Sequence, residues 1–361
     1  MNPVSIRLLG QQLICPQFTS PHDVVAWMGA MQGQEYKMMR WAVAMRTRKP
    51  SARAFEKEYD SGKIIRTHLF RSTWHLISGD DYRWMIDLCS DKARKGVRGW
   101  IKMNGLTISE DEEWRFQEFL SGSMKGLGSL TRDEVLGIAM DSPFRDRPEH
   151  VKYLIILAEV SGVICSGDLT GNERTYCLAA DKLQGQISMN REESLTELAR
   201  RYFLSHGPAT LEDFVWWTGL NIGECRQGIE SLGDDLIQER WKGLDFLLHK
   251  DCRTRGFRTG TVTLLPSYDE YLIGYKSRQL VLHPEHRHRA HDQKCIFWPV
   301  VLQDGEVVGN WKMTGDRITT EIFNGSANLD EDTLNKQVLR YNHFRPDTRK
   351  ETRQGTVGHN G

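Results

Sequence analysis

Nothing in this sequence draws it toward a membrane, an oxidising compartment or a strongly charged partner. No stretch approaches the roughly 18 apolar residues that a membrane span needs. The opening residues, MNPVSIRLLGQQL, lack a basic segment followed by a long apolar run and a cleavage site, so no secretory leader is expected. The seven cysteines, Cys15, Cys89, Cys165, Cys177, Cys225, Cys252 and Cys295, are odd in number and contain no CxxC pair. Such a pattern fits reduced thiols in a cytoplasmic protein. Neither sign of charge is in excess, with 48 Lys and Arg against 48 Asp and Glu. Nucleic-acid binders usually carry a basic surplus, so any such role must rest on local patches.

What is present is a globular composition, 39% hydrophobic and 27% charged, over 361 residues, enough for two to four domains. Ser20-Pro21 opens a helix, because serine caps and proline tolerates the first turn. Val24, Val25, Met28 and Met31 supply its apolar stripe. A second helix is expected over 35–47, with Met38, Trp41, Ala42 and Met45 on one face, ended by Lys49-Pro50. Ser51 opens a third, closed by Gly62, and KIIRTHLFRSTWHLIS reads as two short strands. Helices followed by a hairpin outline a winged helix. The order recurs twice. One recurrence runs through a linking helix over 80–94, a helix from Ser109, RPEHVKYLIILAEVSG and a hairpin in VICSGDLTGNERTYCL. The other has an Asn190-capped helix and GPATLEDFVWWTGLNIGECRQGIESL, a helix–glycine–helix unit. From about Lys250 alternating residues and the Asp304-Gly305 turn predict a small β-rich unit, a partial barrel. The expected class is α+β: three tandem winged-helix units over 1–97, 98–183 and 184–249, a β-barrel-like domain over 250–345, and a flexible tail over 346–361.

In MGAMQGQEYK, Gln32 and Gln34 stand two apart around Gly33. On a continuous helix they would point about 200° apart. In extended chain they face one way, and Gly33 is the residue best able to break the helix there. In the plainer reading Gln32 caps a helix end and Gln34 is exposed. Two amides do not titrate, but they accept a hydrogen bond from water and donate one to an oxygen. That suits a reaction whose leaving group is already activated, such as loss of a cationic N7-alkylated purine, where positioning and a polar setting suffice.

Other residues carry two readings each. Arg66, Thr67, His68, Arg71, Thr73, Trp74 and His75 crowd the first hairpin, which could track phosphate or enter a groove. Strand alternation places Arg71, Thr73 and His75 on one face and Ser72 and Trp74 on the other. Trp74 reads as core, and His75 as either a site residue or a satisfied structural one. Trp216 and Trp217 read as helix-locking indoles, and His206-Gly207-Pro208 as a specific feature. Tyr268, Asp269 and Glu270, with Tyr271, form a polar cluster suited to acid–base work, to holding a cation or to satisfying a strand end. The run HPEHRHRAH invites zinc, but its spacing is irregular and the better reading is a solvated loop or a phosphate contact. Arg253 and Arg255, in RTRGFR, form a candidate phosphate patch.

The blocks VVAWMGAMQGQEYKMMRWAVAMR, GKIIRTHLFRSTWHLIS, LARRYFLSHGPATLEDFVWWTGL and LLPSYDEYLIGY resemble, in order, the AlkZ-like winged-helix DNA glycosylase family over about residues 5–345. The resemblance implies three tandem winged helices and a C-terminal β-barrel arranged as a C-shaped clamp. It implies removal of N-alkylated purines and unhooking of interstrand crosslinks through N7 of guanine. The family's catalytic QΦQ motif falls on Gln32-Gly33-Gln34, with glycine in place of the aliphatic residue, and a second family motif falls on RSTWH, residues 71–75. The implied enzyme is a monofunctional glycosylase, with no Schiff-base lysine, metal or cofactor. Its partner is alkylated or crosslinked duplex DNA, and the chain is expected to be a cytoplasmic monomer. A non-catalytic winged-helix DNA-binding protein or regulator is the alternative.

Overall fold

The computed structural model describes residues 2–140, 143–241, 243–315, 317–323 and 329–345. The expected tail, 346–361, lies outside them. The chain is mixed α and β with small antiparallel sheets. Helix α1 (Pro3–Gly10) is followed by α2 (Pro21–Met28), whose Ser20 cap accepts from the Asp23 N–H. Gly29, at φ 78°, turns the chain out of α2 into strand β1 (Ala30–Gln32). The helix expected over 35–47 is shorter, α3 (Met39–Ala44), because 34–38 are bends and turns. Then come α4 (Ala52–Asp60), β2 (Ile64–His68) and β3 (Trp74–Ser78), in a sheet ordered β1-β3-β2.

The linking helix runs further than expected. α5 (Tyr82–Met103) continues because Ala93, Val97 and Ile101 extend its buried stripe at intervals of four. Next come α6 (Glu110–Met124), β4 (Leu130–Thr131), α7 (Arg132–Met140) and α8 (Pro148–Val160), then β5 (Ile164–Ser166) and β6 (Thr175–Leu178), in a sheet ordered β4-β6-β5. All five residues expected on the buried face of α8, Val151, Leu154, Ile155, Leu157 and Ala158, are buried. After α9 (Ala179–Lys182), helix α10 (Arg191–Ser205) opens with a capping box between Asn190 and Glu193. α11 (Leu211–Thr218) ends at left-handed Gly219, α12 (Ile222–Glu230) follows, and β7 (Leu236–Trp241) pairs with β8 (Leu244–His249).

The last part corrects the barrel expectation. β9 (Val262–Leu265), β10 (Val300–Gln303), β11 (Glu306–Thr314) and β12 (Arg317–Ile322) form an open sheet ordered β12-β11-β10-β9. Four strands are too few to close on themselves. α1, Trp41 and α15 (Glu331–Phe344) pack into its core instead. The short helices α13 (Glu270–Ile273) and α14 (Arg287–Ala290) lie in the long connection between β9 and β10. The Asp304-Gly305 turn joins β10 to β11 as expected. Among the described residues no helix is long and apolar enough to cross a membrane.

These cores do not respect chain order. Trp41 of α3 is buried and donates its indole N–H to the Leu264 carbonyl of β9 at 3.0 Å. A second core joins Ile65 and Phe70 to Tyr202 and Trp217 of α10 and α11. Each such large side chain contributes roughly 1.5–3 kcal/mol by burial. The Trp41 contact alone spans 223 positions and ties the segment after the glutamines to β9.

Candidate functional site

Residues 32–34 are held by their backbone from three directions. Gln32 ends β1 opposite His75 of β3. Its N–H donates to Glu270 Oε1 at 2.6 Å. The Gly33 N–H donates to the Trp74 carbonyl at 2.8 Å, and the Gly33 carbonyl accepts from Arg66 Nε at 2.9 Å. The break in the helix that frees the glutamines is at Gly29, not Gly33. Gly33 lies outside the left-handed region, and a Cβ there would sit 3.5 Å from Arg66 Cγ, an ordinary contact.

The amides themselves are less satisfied than their backbone. Gln32 is 5% exposed, and its Nε2 donates to Thr73 Oγ1 at 3.4 Å. The side-chain oxygens of both Gln32 and Gln34 are buried without a protein partner. Buried acceptors left unpaired are costly and few in folded proteins. His75, fully buried, adds a third. Its Nδ1–H donates to the Thr73 carbonyl at 2.9 Å, leaving the Nε2 lone pair unpartnered. Burial first, and Arg71 second, push this histidine down to about 4, so the ring is neutral at physiological pH.

Behind them sits a buried negative charge. Glu270 opens α13, and its second oxygen accepts the Trp217 indole N–H at 3.0 Å and lies 3.5 Å from His206 Nε2. Burial pushes its carboxyl up, but His206, His75 and Arg71 outweigh that and hold it below the usual carboxylate range. Two N–H donors favour the same ionised form. The sequence marked Glu270 only as a member of a polar cluster. Its engagement with Gln32 carries no local signal, because the two are 238 positions apart.

The other members of that cluster are structural. Asp269 caps α13 and forms a two-point buried ion pair with Arg46 at 2.7 and 2.8 Å. Tyr271 reaches the Gly305 carbonyl inside the core. Half-buried Tyr268 sits beside Phe297 with a left-handed backbone.

The first hairpin departs from the expectation of an exposed wing. β2 is buried along its length because β5 of the next unit covers it, with the Arg66 N–H donating to Ser166 Oγ. Arg66, 3% exposed, faces inward onto the Trp74 ring at 4.7 Å. His68 pairs with buried Glu159 at 2.7 Å. As placed, Arg66, His68 and His75 do not offer themselves to phosphate. Trp74 is half-buried between Arg66 and Arg174, 4.6 Å from the latter. The alternation expected at 71–75 fails because Arg71 and Ser72 are left-handed, at φ 54° and 56°, in a turn before β3. Arg71 and Thr73 are partly exposed. Arg253, on the loop before β9, donates to the Cys15 carbonyl between α1 and α2, and Arg255 is exposed on the same loop. No group of three or more metal-ligating side chains gathers among the described residues, at the 283–291 histidines or elsewhere.

A polar, water-accepting pair backed by a buried carboxylate, on a mixed α and β frame, has the makings of a hydrolytic site for a positively charged leaving group. The comparisons give the class of the whole chain. The model of the AlkZ-like DNA glycosylases matches residues 25–344, and the chain belongs to that family. It is thereby an enzyme of the DNA glycosylase class, a hydrolase of N-glycosyl bonds. The interstrand DNA cross-link repair glycosylase of Streptomyces sahachiroi is 26% identical over 333 residues, covering 88% of this chain and 89% of that one. The solved structure of the Streptomyces sahachiroi DNA glycosylase AlkZ superposes with a TM-score of 0.81 at 24% identity, over 95% of this chain and 96% of that one.

Proposed function

We propose that Gln32 and Gln34 form the catalytic pair of this glycosylase, acting on cationic N-alkylated purines in duplex DNA and unhooking crosslinks made through N7 of guanine. The crosslink activity rests on the name of the Streptomyces sahachiroi relative. The observation that carries the catalytic reading is the pair of buried, unpartnered amide oxygens next to a buried anion. A purine alkylated at N7 is already a cationic leaving group. Its departure needs little proton transfer, but it leaves positive charge on the sugar. The amide oxygens accept hydrogen bonds from one water and aim its lone pair at the anomeric carbon. As the sugar–N9 bond breaks the purine leaves neutral, the water oxygen bonds to the carbon, and the water's surplus proton passes to solvent. Glu270 adds a negative potential in a site where dielectric screening is weak. Neutral His75 offers a further acceptor.

The same reading organises the rest of the chain. The three helix–hairpin segments, 1–97, 98–183 and 184–249, act as winged helices. With the sheet segment 250–345 they clamp duplex DNA, and the chain works as a monomer. DNA contacts come from partly exposed Arg71 and Thr73 and from the Arg253 and Arg255 loop rather than from Arg66 and His68. The non-catalytic alternative loses its ground with membership in a glycosylase family. The test is incubation of N7-methylated duplex with enzyme, followed by alkaline cleavage of abasic sites. Wild type produces strand breaks and Gln34→Ala does not. Equal cleavage by both removes the assignment of the pair.

A further inference from the structure

Beside the glutamines lies a group of arginines that the fold positions with care and leaves without counter-ions. Arg71 and Ser72 adopt left-handed backbone, which non-glycine residues rarely tolerate. Two glycines make room for that turn. A Cβ at Gly96 of α5 would meet Ser72 Oγ at 2.3 Å, and one at Gly219, after α11, would meet Arg71 Cγ at 2.9 Å. The Arg71 guanidinium then donates to the Trp216 carbonyl at 2.7 Å and lies 5.4 Å from the Trp216 ring.

Arg278, on the connection after α13, approaches the same ring at 5.6 Å. Among the described residues it donates only to the Leu272 and Lys276 carbonyls, and its Nη2 is buried without a partner. Arg287 stands near enough to oppose its charge, as does Arg71. None of Arg71, Arg278 and Arg287 has a carboxylate within ion-pair distance among the described residues. Glu270, the leading carboxylate influence on Arg71, is committed to Gln32 and Trp217. Arg278 and Arg287 also border an open cleft of about 500 Å³, with Lys276 and His291 beside them and Glu212 and Asp213 also in its lining. Like charges gathered in partly desolvated surroundings repel unless an anion joins them, and the guanidinium fork fits phosphate oxygens in two-point fashion.

We propose that Arg71 and Arg278, joined through Trp216 and backed by Arg287, form a clamp for a DNA backbone phosphate next to the damaged nucleotide. The inference rests on the glycosylase reading for its ligand. Its location follows from Thr73, two residues beyond Arg71, whose hydroxyl meets the Gln32 amide. A phosphate seated there fixes the sugar of the lesion within reach of the pair.

The test uses the full chain and fluorescence anisotropy on a duplex at several NaCl concentrations. Each lost phosphate contact lowers the slope of log affinity against log salt by about one. Arg278→Gln is expected to lower the slope by about one and weaken binding roughly tenfold at moderate salt. Arg278→Lys keeps the slope. In duplexes carrying one uncharged methylphosphonate at successive positions, one position weakens wild type but leaves Arg278→Gln unaffected. An unchanged slope and affinity in Arg278→Gln overturns the clamp, as does a methylphosphonate scan that affects both proteins alike. A wild type that binds with this slope but releases no base counts against the glycosylase reading and leaves the clamp standing.

Discussion

The main-chain N–H of Gln32 points at the Glu270 carboxylate, 2.6 Å away across 238 residues of chain. One end of the motif is thus aligned by a charge rather than by its own strand alone. The same carboxylate holds Trp217, so the hydrogen bond couples β1 to α11 and α13. On the proposed reading Glu270 places the Gln32 main chain and also acts by its charge. Glu270→Gln keeps an acceptor for the N–H but removes the negative potential. Base release at saturating substrate is expected to fall about 100-fold, the scale of losing one fixed electrostatic contact, with substrate affinity changed less than threefold. Single-turnover kinetics beside binding measurements separate the two effects. A loss confined to affinity contradicts the electrostatic role proposed for the carboxylate.

Gln32 and Gln34 hold one water in the proposed reaction, and groups that act as a unit do not add. Gln32→Ala and Gln34→Ala are each expected to lower base release by roughly a thousandfold, and the double variant by no more than about tenfold further. Release of 7-methylguanine from methylated duplex measures all three. Losses that simply multiply would mean that the amides act on separate atoms.

Much of this architecture was legible in local sequence. Ser20, Asn190 and the Val151–Ala158 stripe announce helices through capping and periodicity, both of which are properties of neighbouring residues. Gln32 and Gln34, the proposed pair, stand out by spacing and resemblance, whereas the burial of their unpartnered oxygens has no local signal. What escaped was set by distant chain. Arg66 and His68 look like an exposed basic wing until β5 covers β2 and Glu159 supplies a buried partner. Gly29 rather than Gly33 breaks the helix, a choice between two glycines that local propensity does not make. The alternation rule misplaced Arg71 because a left-handed turn, wedged between Gly96 and Gly219, replaces strand there. The alternating pattern after Lys250 marks strands, but it does not say whether they close.

Gly33 is the middle residue of the Gln32–Gln34 motif, and its conformation does not require glycine. Its Cβ position is clear, 3.5 Å from Arg66 Cγ and from the His75 main chain. Replacing glycine by alanine at such a site restricts the unfolded chain and stabilises by about 0.4–1 kcal/mol. Gly33→Ala is therefore expected to raise the urea midpoint slightly and to retain base release. Destabilisation by more than about 1 kcal/mol would show that residues 32–34 need the freedom of glycine.

His75 gives the fold a pH dependence whose sign is fixed. Its ring is pushed by burial from 6.5 to about 4, and burial pushes His206 and His249 in the same direction. Between those two values the unfolded chain binds a proton that the folded chain refuses. Stability is therefore complete above about pH 6.5 and declines as pH falls toward 4, by up to about 3 kcal/mol from His75 alone. The Glu270 carboxylate, held below its ordinary range, contributes in a lower window, where acid removes stability present above about pH 4.5. Urea unfolding of wild type and His75→Gln at pH 7 and pH 5 isolates the ring. Wild type is expected to lose about 2 kcal/mol more than the variant over that interval. Parallel losses would mean that the imidazole takes up its proton in the folded state, and with it that Nε2 is no lone pair open to water beside the glutamines.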